Sequence, residues 1–399
     1  MKKLLILGGS RYILPIIKIA KEMGIYVITA DYLPNNIAHK YSDEYINVSI
    51  VDKEAVLQVA KEKNISGIMS FACDPGVVTC AYVAEKLSLP SCGPYASVCI
   101  LQNKARFRKF LKDNGFNVPK AKGFKSVQEA MAEINEFNWP IIVKPTDSAG
   151  SKGVAKVEKL ADLETSVANA LKYSSSKEFI IEDFIEKKGC SSDSDSFSVN
   201  GKLEFLSFSA QHFDDKSENP YTPSAYSWPA TISDENKTYL AKELQRLLDL
   251  LNMRTSIYNI ETREDVNGIP YIMEVSPRGG GNRLSEVLTY ATGINLLKNS
   301  VLAALGEEPE NVKQEGLKGF WAEVILHSAK PGFFDKLKIK QENNVKIIEK
   351  DLWIKSGDAV GGFSGANEAI GTLILRFESL SDMESYINNV NENVIVELR

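Results

Sequence analysis

The chain has 399 residues, 44% hydrophobic and 25% charged, with a formal net charge of −5 and a pI near 5.6. That length allows two or three domains and a sizeable core, and that balance is the one of an ordinary soluble globular protein. The scattered Lys and Arg residues exclude a basic nucleic-acid footprint, and no apolar run approaches transmembrane length.

Taken in chain order, the first hundred residues alternate strand and helix signals, the pattern of a parallel α/β sheet. The opening MKKLLILGGS has too short an apolar run for a signal peptide and reads as a strand over 3–7 entering a glycine turn. A helix over 15–23, with proline near its first turn, leads to a strand over 26–30. Next come a strand over 44–48, a helix over 53–63, a strand over 67–71 and a helix from about 77 to 87. The five cysteines (Cys73, Cys80, Cys92, Cys99 and Cys190) are odd in number and form no CxxC pair. They read as reduced, mostly buried thiols of a cytoplasmic protein rather than a disulfide framework.

An amphipathic helix over 104–114 is stopped by Gly115, and Pro119 follows. From Trp139 the character changes to short strands, a glycine loop, and helices around 160–173 and 235–252. Residues 307–316 are polar and read as a linker. Strands over 319–327 and 371–377 then suggest a small α+β tail.

The most informative segment is IYNIETREDVNGIPYIMEVSPR, residues 257–278. Asn267-Gly268 is a strong hairpin signal, because both residues tolerate the positive φ of a type I′ turn. A two-residue loop pairs Val266 with Ile269 and sets Glu261 directly across from Glu274, with Cβ atoms roughly 5 Å apart. Asn259 and Ser276 form the next pair on that face, while Tyr258, Ile260, Met273 and Val275 turn to the core. Facing carboxylates repel unless positive charge lies between them, and magnesium is a natural filler. A solvated hairpin face with incidental acids is the plain alternative.

The stretch Glu274-Val275-Ser276-Pro277-Arg278 resembles the metal-binding E-x-N-P-R signature of the ATP-grasp superfamily. NKARFRKFLKDNGFNVPKA (103–121) is similar to the family's first lysine helix, and WPIIVKP (139–145) to its second lysine strand. TDSAGSKGV (146–154) resembles the glycine-rich loop, and FIIEDFIE (179–186) the hinge that holds adenine. The resemblance runs over residues 4–306, roughly three-quarters of the chain. The relatives it suggests are biotin-carboxylase-like ligases, carbamoyl-phosphate synthetase large chains, phosphoribosylglycinamide synthetases and L-amino-acid ligases.

The fold this resemblance implies is α/β and α+β. A Rossmann-like domain (1–100) precedes a two-lobed ATP-grasp domain (101–306, lobes about 101–180 and 181–306), then a linker and small α+β domain (307–399). The activity implied is an ATP-dependent, magnesium-dependent carboxylate–amine ligation through an acyl phosphate. Lys104 and Lys144 meet the phosphates. The loop residues Ser148, Gly150, Ser151 and Gly153 let backbone N–H groups approach phosphate oxygens; this loop is not the P-loop of Walker-type ATPases. Backbone groups of Asp183 and Ile185 read the adenine edge, with Glu182 and Glu186 beside them. Glu261, Glu274, Ser276 and Asn259 are the metal candidates, and Arg278 and Lys152 the catalytic ones. ATP, magnesium, a small carboxylate and an amine are the implied partners, without nucleic acid or membrane; a homodimer stays open.

Two departures stand out. Ser191 takes the place of the family's ribose-binding glutamate, so that contact passes to Glu186, to Asp193, or is lost. Ser276 replaces a metal-ligating asparagine, with Asn259 opposite as a substitute or a weakened second metal as the alternative; Ser276→Asn is expected to be tolerated or to improve metal affinity. The segment 211–233 is a candidate lid carrying His212, which is either catalytic or simply packed. Asp74 and the 8–11 turn face the implied cleft, while His39 and His327 show no metal-ligand spacing. A nucleotide-binding module without turnover is the rival reading. A dinucleotide site is disfavoured by the missing G-x-G-x-x-G, although Asp31 ends the second strand.

Overall fold

The computed structural model describes residues 1–313, 315–340 and 343–399. The N-terminal strands Lys3–Leu7, Tyr26–Asp31, Glu44–Asn47 and Gly67–Ser70 form one parallel sheet in the order third, second, first, fourth. Helices Leu14–Glu22, Lys53–Lys63 and Asp74–Leu87 connect or follow them. The last of these begins three residues before the sequence pattern predicts. Pro75 suits the first helical turn, where its missing N–H costs nothing, and the earlier start puts Asp74 at the helix N-terminus beside the sheet's carboxyl end.

Helix Lys104–Asp113 is capped by Asn103, whose side chain accepts from the Arg106 N–H. It buries Phe107, Arg108 and Leu111 and packs beside an antiparallel sheet of Ala121–Phe124, Phe179–Asp183, Ile141–Pro145 and Ala155–Val157. A second antiparallel sheet runs Lys202–Phe205, Ser192–Val199, Ser256–Glu264 and Pro270–Ser276. Helix Asp234–Leu250 covers its back with Leu240, Leu244, Leu247 and Leu248, at the spacing of one helical face.

The C-terminal strands do not stand apart. Phe320–Leu326 pairs on one side with Gly371–Phe377 and on the other with Pro223–Trp228, in a five-stranded sheet that crosses the expected border at 306. The expected lid is therefore, over most of its length, a hairpin of Ala210–Phe213 and Pro223–Trp228 built into that sheet. Its apolar residues explain this: Tyr226 and Trp228 join Leu4, Ile6, Val287, Trp321, Ile325 and Ile374 in one core that reaches from the N-terminal sheet to the C-terminal one. Within the expected linker Gln314 lies outside the described residues, and Glu310 is tied back to Asn299 through its N–H at 2.8 Å. The five cysteines are unpaired and largely covered. Among the described residues no helix is long and apolar enough to cross a membrane.

Candidate active site

The antiparallel ladders bring six polar side chains into a grid of two rows across three strands. One row is Asp193, Glu261 and Glu274; the other is Asp195, Asn259 and Ser276. The expected 261/274 and 259/276 pairings are present, but by a different route. The loop has three residues, closed by the Asp265 N–H to the Ile269 carbonyl at 2.9 Å, with Gly268 alone at positive φ (+80°). That is a type I turn followed by a left-handed glycine, not the type I′ turn. Val266 does not pair with Ile269; its N–H goes to the Glu186 carbonyl. A bulge at Met273 then restores the register, so Thr262 pairs with Ile272, and Ile272 rather than Met273 enters the core.

Helix Lys104–Asp113 fixes the bulge and the facing charges. Arg108 donates from Nη1 to the Met273 carbonyl at 2.8 Å and pairs through Nε with Glu182 at 2.8 Å. Lys144 meets the other Glu182 oxygen at 2.7 Å. Burial pushes the Glu182 carboxyl up, but Arg108 and Lys144 together outweigh it and hold it down at about 2. Glu182 is thus a buried counter-ion to two cations. Burial depresses the Lys144 ammonium, with Arg108 and Lys104 adding to the effect against Glu182.

Lys104 spans two elements. Its Nζ donates to the Ser148 carbonyl in the glycine loop at 2.9 Å and pairs with Glu274 at 3.2 Å. Burial opposes its charge, yet Glu274 and Asp74 raise its pKa above the ordinary lysine value. In the loop itself Gly150, Ser151 and Gly153 all have positive φ, and the Ser151 hydroxyl donates to the Tyr221 carbonyl at the hairpin tip. Lys152 is exposed.

At the hinge, Asp183 gives its N–H to the Lys120 carbonyl at 2.9 Å, and its carboxylate accepts from the Asn138 backbone and side chain. The N–H and the carboxylate are both spent on the fold. Ile185 is half-buried and Glu186 exposed just beyond the strand.

Around the acid grid most donors are already committed. Ser276 is fully buried; its hydroxyl donates to Asp74 and accepts from Gln102, each at 2.8 Å. Arg278 holds Asp74 by a bidentate fork at 2.8 and 2.7 Å, so its guanidinium is neutralised from the helix that follows the N-terminal sheet. Asn259 donates its amide to Asp193 at 2.7 Å and Asp195 at 3.3 Å. Burial, then the neighbouring Glu261 carboxylate, push Asp193 up to about 7. Asp195 accepts from the Gly280 N–H and the Ser285 hydroxyl. The glycine run after Arg278 permits this: a Cβ on Gly280 would lie 2.8 Å from the Asn259 amide and 3.0 Å from Asp195. Ser191 is spent on Arg263, and Arg263 reaches Glu261 at 3.5 Å.

Arg108, Gln102 and the pairing of Asp74 with Arg278 escaped the sequence reading. Two signals were present: Arg108 stands four residues from Lys104, on the same helix face, and SDSDS places Asp193 and Asp195 on one strand face. His212 packs as a strand residue, its Nε2 2.9 Å from the Ser227 hydroxyl, with burial, then Lys187, pressing it down to about 4. Among the described residues no three His, Cys, Asp or Glu side chains form a ready metal cluster. A magnesium ion would therefore rest on the facing Glu261 and Glu274 and complete its shell with phosphate and water, a donor set that suits it.

Residues 137–286 match the family model for the ATP-grasp domain. The L-amino acid ligase from Bacillus licheniformis has a similar structure: TM-score 0.81 at 21% identity, covering 100% of this chain and 99% of that one. Phosphoribosylglycinamide synthetase from Anaerococcus prevotii superposes with TM-score 0.76 at 21% identity, covering 100% of both chains. The carbamoyl phosphate synthase large chain of Thermoanaerobacter pseudethanolicus is 23% identical over 328 residues, 80% of this chain. The chain spans only 29% of that relative's length. Residues 137–286 thus match the ATP-grasp domain model, and the chain shares its fold from end to end with these two solved structures.

Proposed function

We propose that the chain is an ATP-dependent ligase that joins a carboxylate to an amine through an acyl phosphate, releasing ADP and phosphate. The observation that carries this reading is the facing pair Glu261 and Glu274, with Lys104 bridging that pair to the glycine loop. The names of the structural neighbours, a ligase and a synthetase, point the same way.

On this reading Lys104, Lys144 and the amides around Ser148, Gly150, Ser151 and Gly153 receive the triphosphate. Glu261 and Glu274 hold magnesium, which when bound offsets charge on the phosphates; Asn259 stands beside them. Arg278, released from Asp74, grips the transferring phosphoryl or the substrate carboxylate, with Lys152 on the loop above. Transfer of this kind depends mainly on positioning and electrostatics. We divide the chain at about 100 and 306, although the five-stranded sheet spans the second border.

The rival reading is a nucleotide-binding module without turnover, favoured by the commitment of Ser276 to Asp74 and Gln102 and of Ser191 to Arg263. One assay separates the two: the purified chain with magnesium, ATP and pooled carboxylates and amines, read for ADP and phosphate. Release that needs both pools supports the ligase. ATP binding with no release under any pool supports the module, and no ATP binding sinks both.

A further inference from the structure

Outside the acid grid a second polar site is left unsatisfied. Glu323 sits on the core-facing side of strand Phe320–Leu326, fully buried, and neither carboxylate oxygen has a hydrogen-bond partner among the described residues. Its strand neighbours on that face are Trp321 and Ile325, and its cross-strand partner is Tyr226. Buried polar groups are nearly always paired, so an orphaned carboxyl asks for a partner the protein does not supply.

The atoms around it are orphaned in the same sense. The Tyr12 hydroxyl and the Asn282 Oδ1 are also buried without partners. Tyr12 and Tyr226 both feel the Glu323 charge. Tyr226 is itself satisfied, bonded to Asn282 and Gln211 and reaching Asp193 at 3.2 Å. The nearby Arg283 does not neutralise Glu323, because Glu286 and Glu349 already share its guanidinium. Four elements thus converge: the turn after the first strand, the 277–283 loop and two strands of the C-terminal sheet. Their unmet atoms are two carboxylate oxygens, an amide oxygen and a hydroxyl. With Glu323 ionised, every one of them accepts hydrogen bonds, and only the hydroxyl can also donate.

We propose that Glu323, Tyr12 and Asn282 form a subsite for a primary ammonium group carried by the amine-bearing substrate. An ammonium brings three donors and one positive charge, which matches this set of acceptors. Tyr226 joins the subsite to Asp193, and Asp193 is the ladder neighbour of Glu261, so the bound amine stands beside the acid grid. Burial drives the empty Glu323 carboxyl well above its ordinary range; an ammonium partner reverses that cost.

The inference rests on the ligase reading for its place in a reaction, but binding tests it without turnover. The full chain, without ATP, is titrated calorimetrically with the common amino acids and short alkyl diamines, each against its matched hydroxy acid or alcohol. We expect at least one amine to bind about tenfold or more tighter than its oxygen counterpart, and Glu323→Gln to remove that preference. Tyr12→Phe, at a half-buried turn where misfolding is less of a risk, should weaken the same amine several-fold. No binding by any amine, equal binding of amine and counterpart, or an unchanged preference in either variant overturns the subsite. Phosphate release in the pooled assay would then still stand as its own result, and absence of release would leave the ammonium binding readable.

Discussion

Replacing Arg108 with methionine removes one of two cations that hold a fully buried carboxylate. Glu182 is 2% exposed and lies 2.8 Å from Arg108 and 2.7 Å from Lys144. Breaking a buried ion pair by deleting one partner costs about 3–5 kcal/mol, because the surviving charge stays buried. The pH dependence gives a second handle. Glu182 falls from 4.5 to about 2 in the folded protein, and at about 1.4 kcal/mol per pH unit this is about 3 kcal/mol of pH-dependent stability. A depressed carboxyl contributes fully above its unfolded pKa and loses its contribution as pH falls through the folded value. The gap between wild type and Arg108→Met should therefore be full above about pH 4.5 and close toward pH 2. Urea unfolding at a series of pH values measures it. The double variant Arg108→Met, Glu182→Gln should recover much of the loss, since no uncompensated anion remains. A single variant within about 1 kcal/mol of wild type at pH 7, or a gap that does not shrink in acid, would refute the argument.

Glu261→Gln or Glu274→Gln should weaken magnesium-dependent ATP binding by more than about tenfold and abolish phosphate release; full activity in both sinks the metal assignment. Gly153→Ala meets both a φ of +73° and Tyr173 at 2.9 Å, so about 1–3 kcal/mol of stability and much of the ATP affinity should go. Gly150→Ala has open space around it and carries only the backbone cost of φ +67°, about 1 kcal/mol; thermal unfolding with nucleotide titration ranks the two, and equal effects contradict the packing argument. Ser276→Asn, read from the sequence as tolerated, should instead destabilise, because Asp74 and Gln102 already enclose that hydroxyl. A variant that melts as the wild type does and binds metal more tightly would restore the earlier expectation.

The facing of Glu261 and Glu274 was legible because alternation and a glycine turn constrain a short hairpin tightly. The path to it was not. The loop holds one residue more than the type I′ reading allows, and the bulge at Met273 takes up that residue before the carboxylates are reached. No local signal marks that bulge, since its carbonyl is held by Arg108, 165 residues away in sequence. The parallel sheet was readable from local periodicity, strand by strand. The hairpin at residues 210–228 looked like a lid because proline and aromatic residues suggest a loop. Its true setting depends on a strand about a hundred residues later, which hydrogen-bonds to its inner edge. Glu323 fell in a run that reads simply as strand, and only the packing around it reveals that its carboxyl is alone.

That shared sheet has a consequence for how the molecule can be taken apart. Cutting the chain near residue 306 would strip the Phe320–Leu326 strand from Pro223–Trp228 and leave a row of backbone N–H and C=O groups open along the hairpin. Trp228, buried in the shared core, would lose its neighbour Trp321 at the same time. The N-terminal fragment, expressed alone, should be sticky and polydisperse in sedimentation, and supplying the missing strands as a separate polypeptide should return it to solution as a noncovalent pair. The last strands behave in this light as a keystone, set after the arch but holding both of its sides.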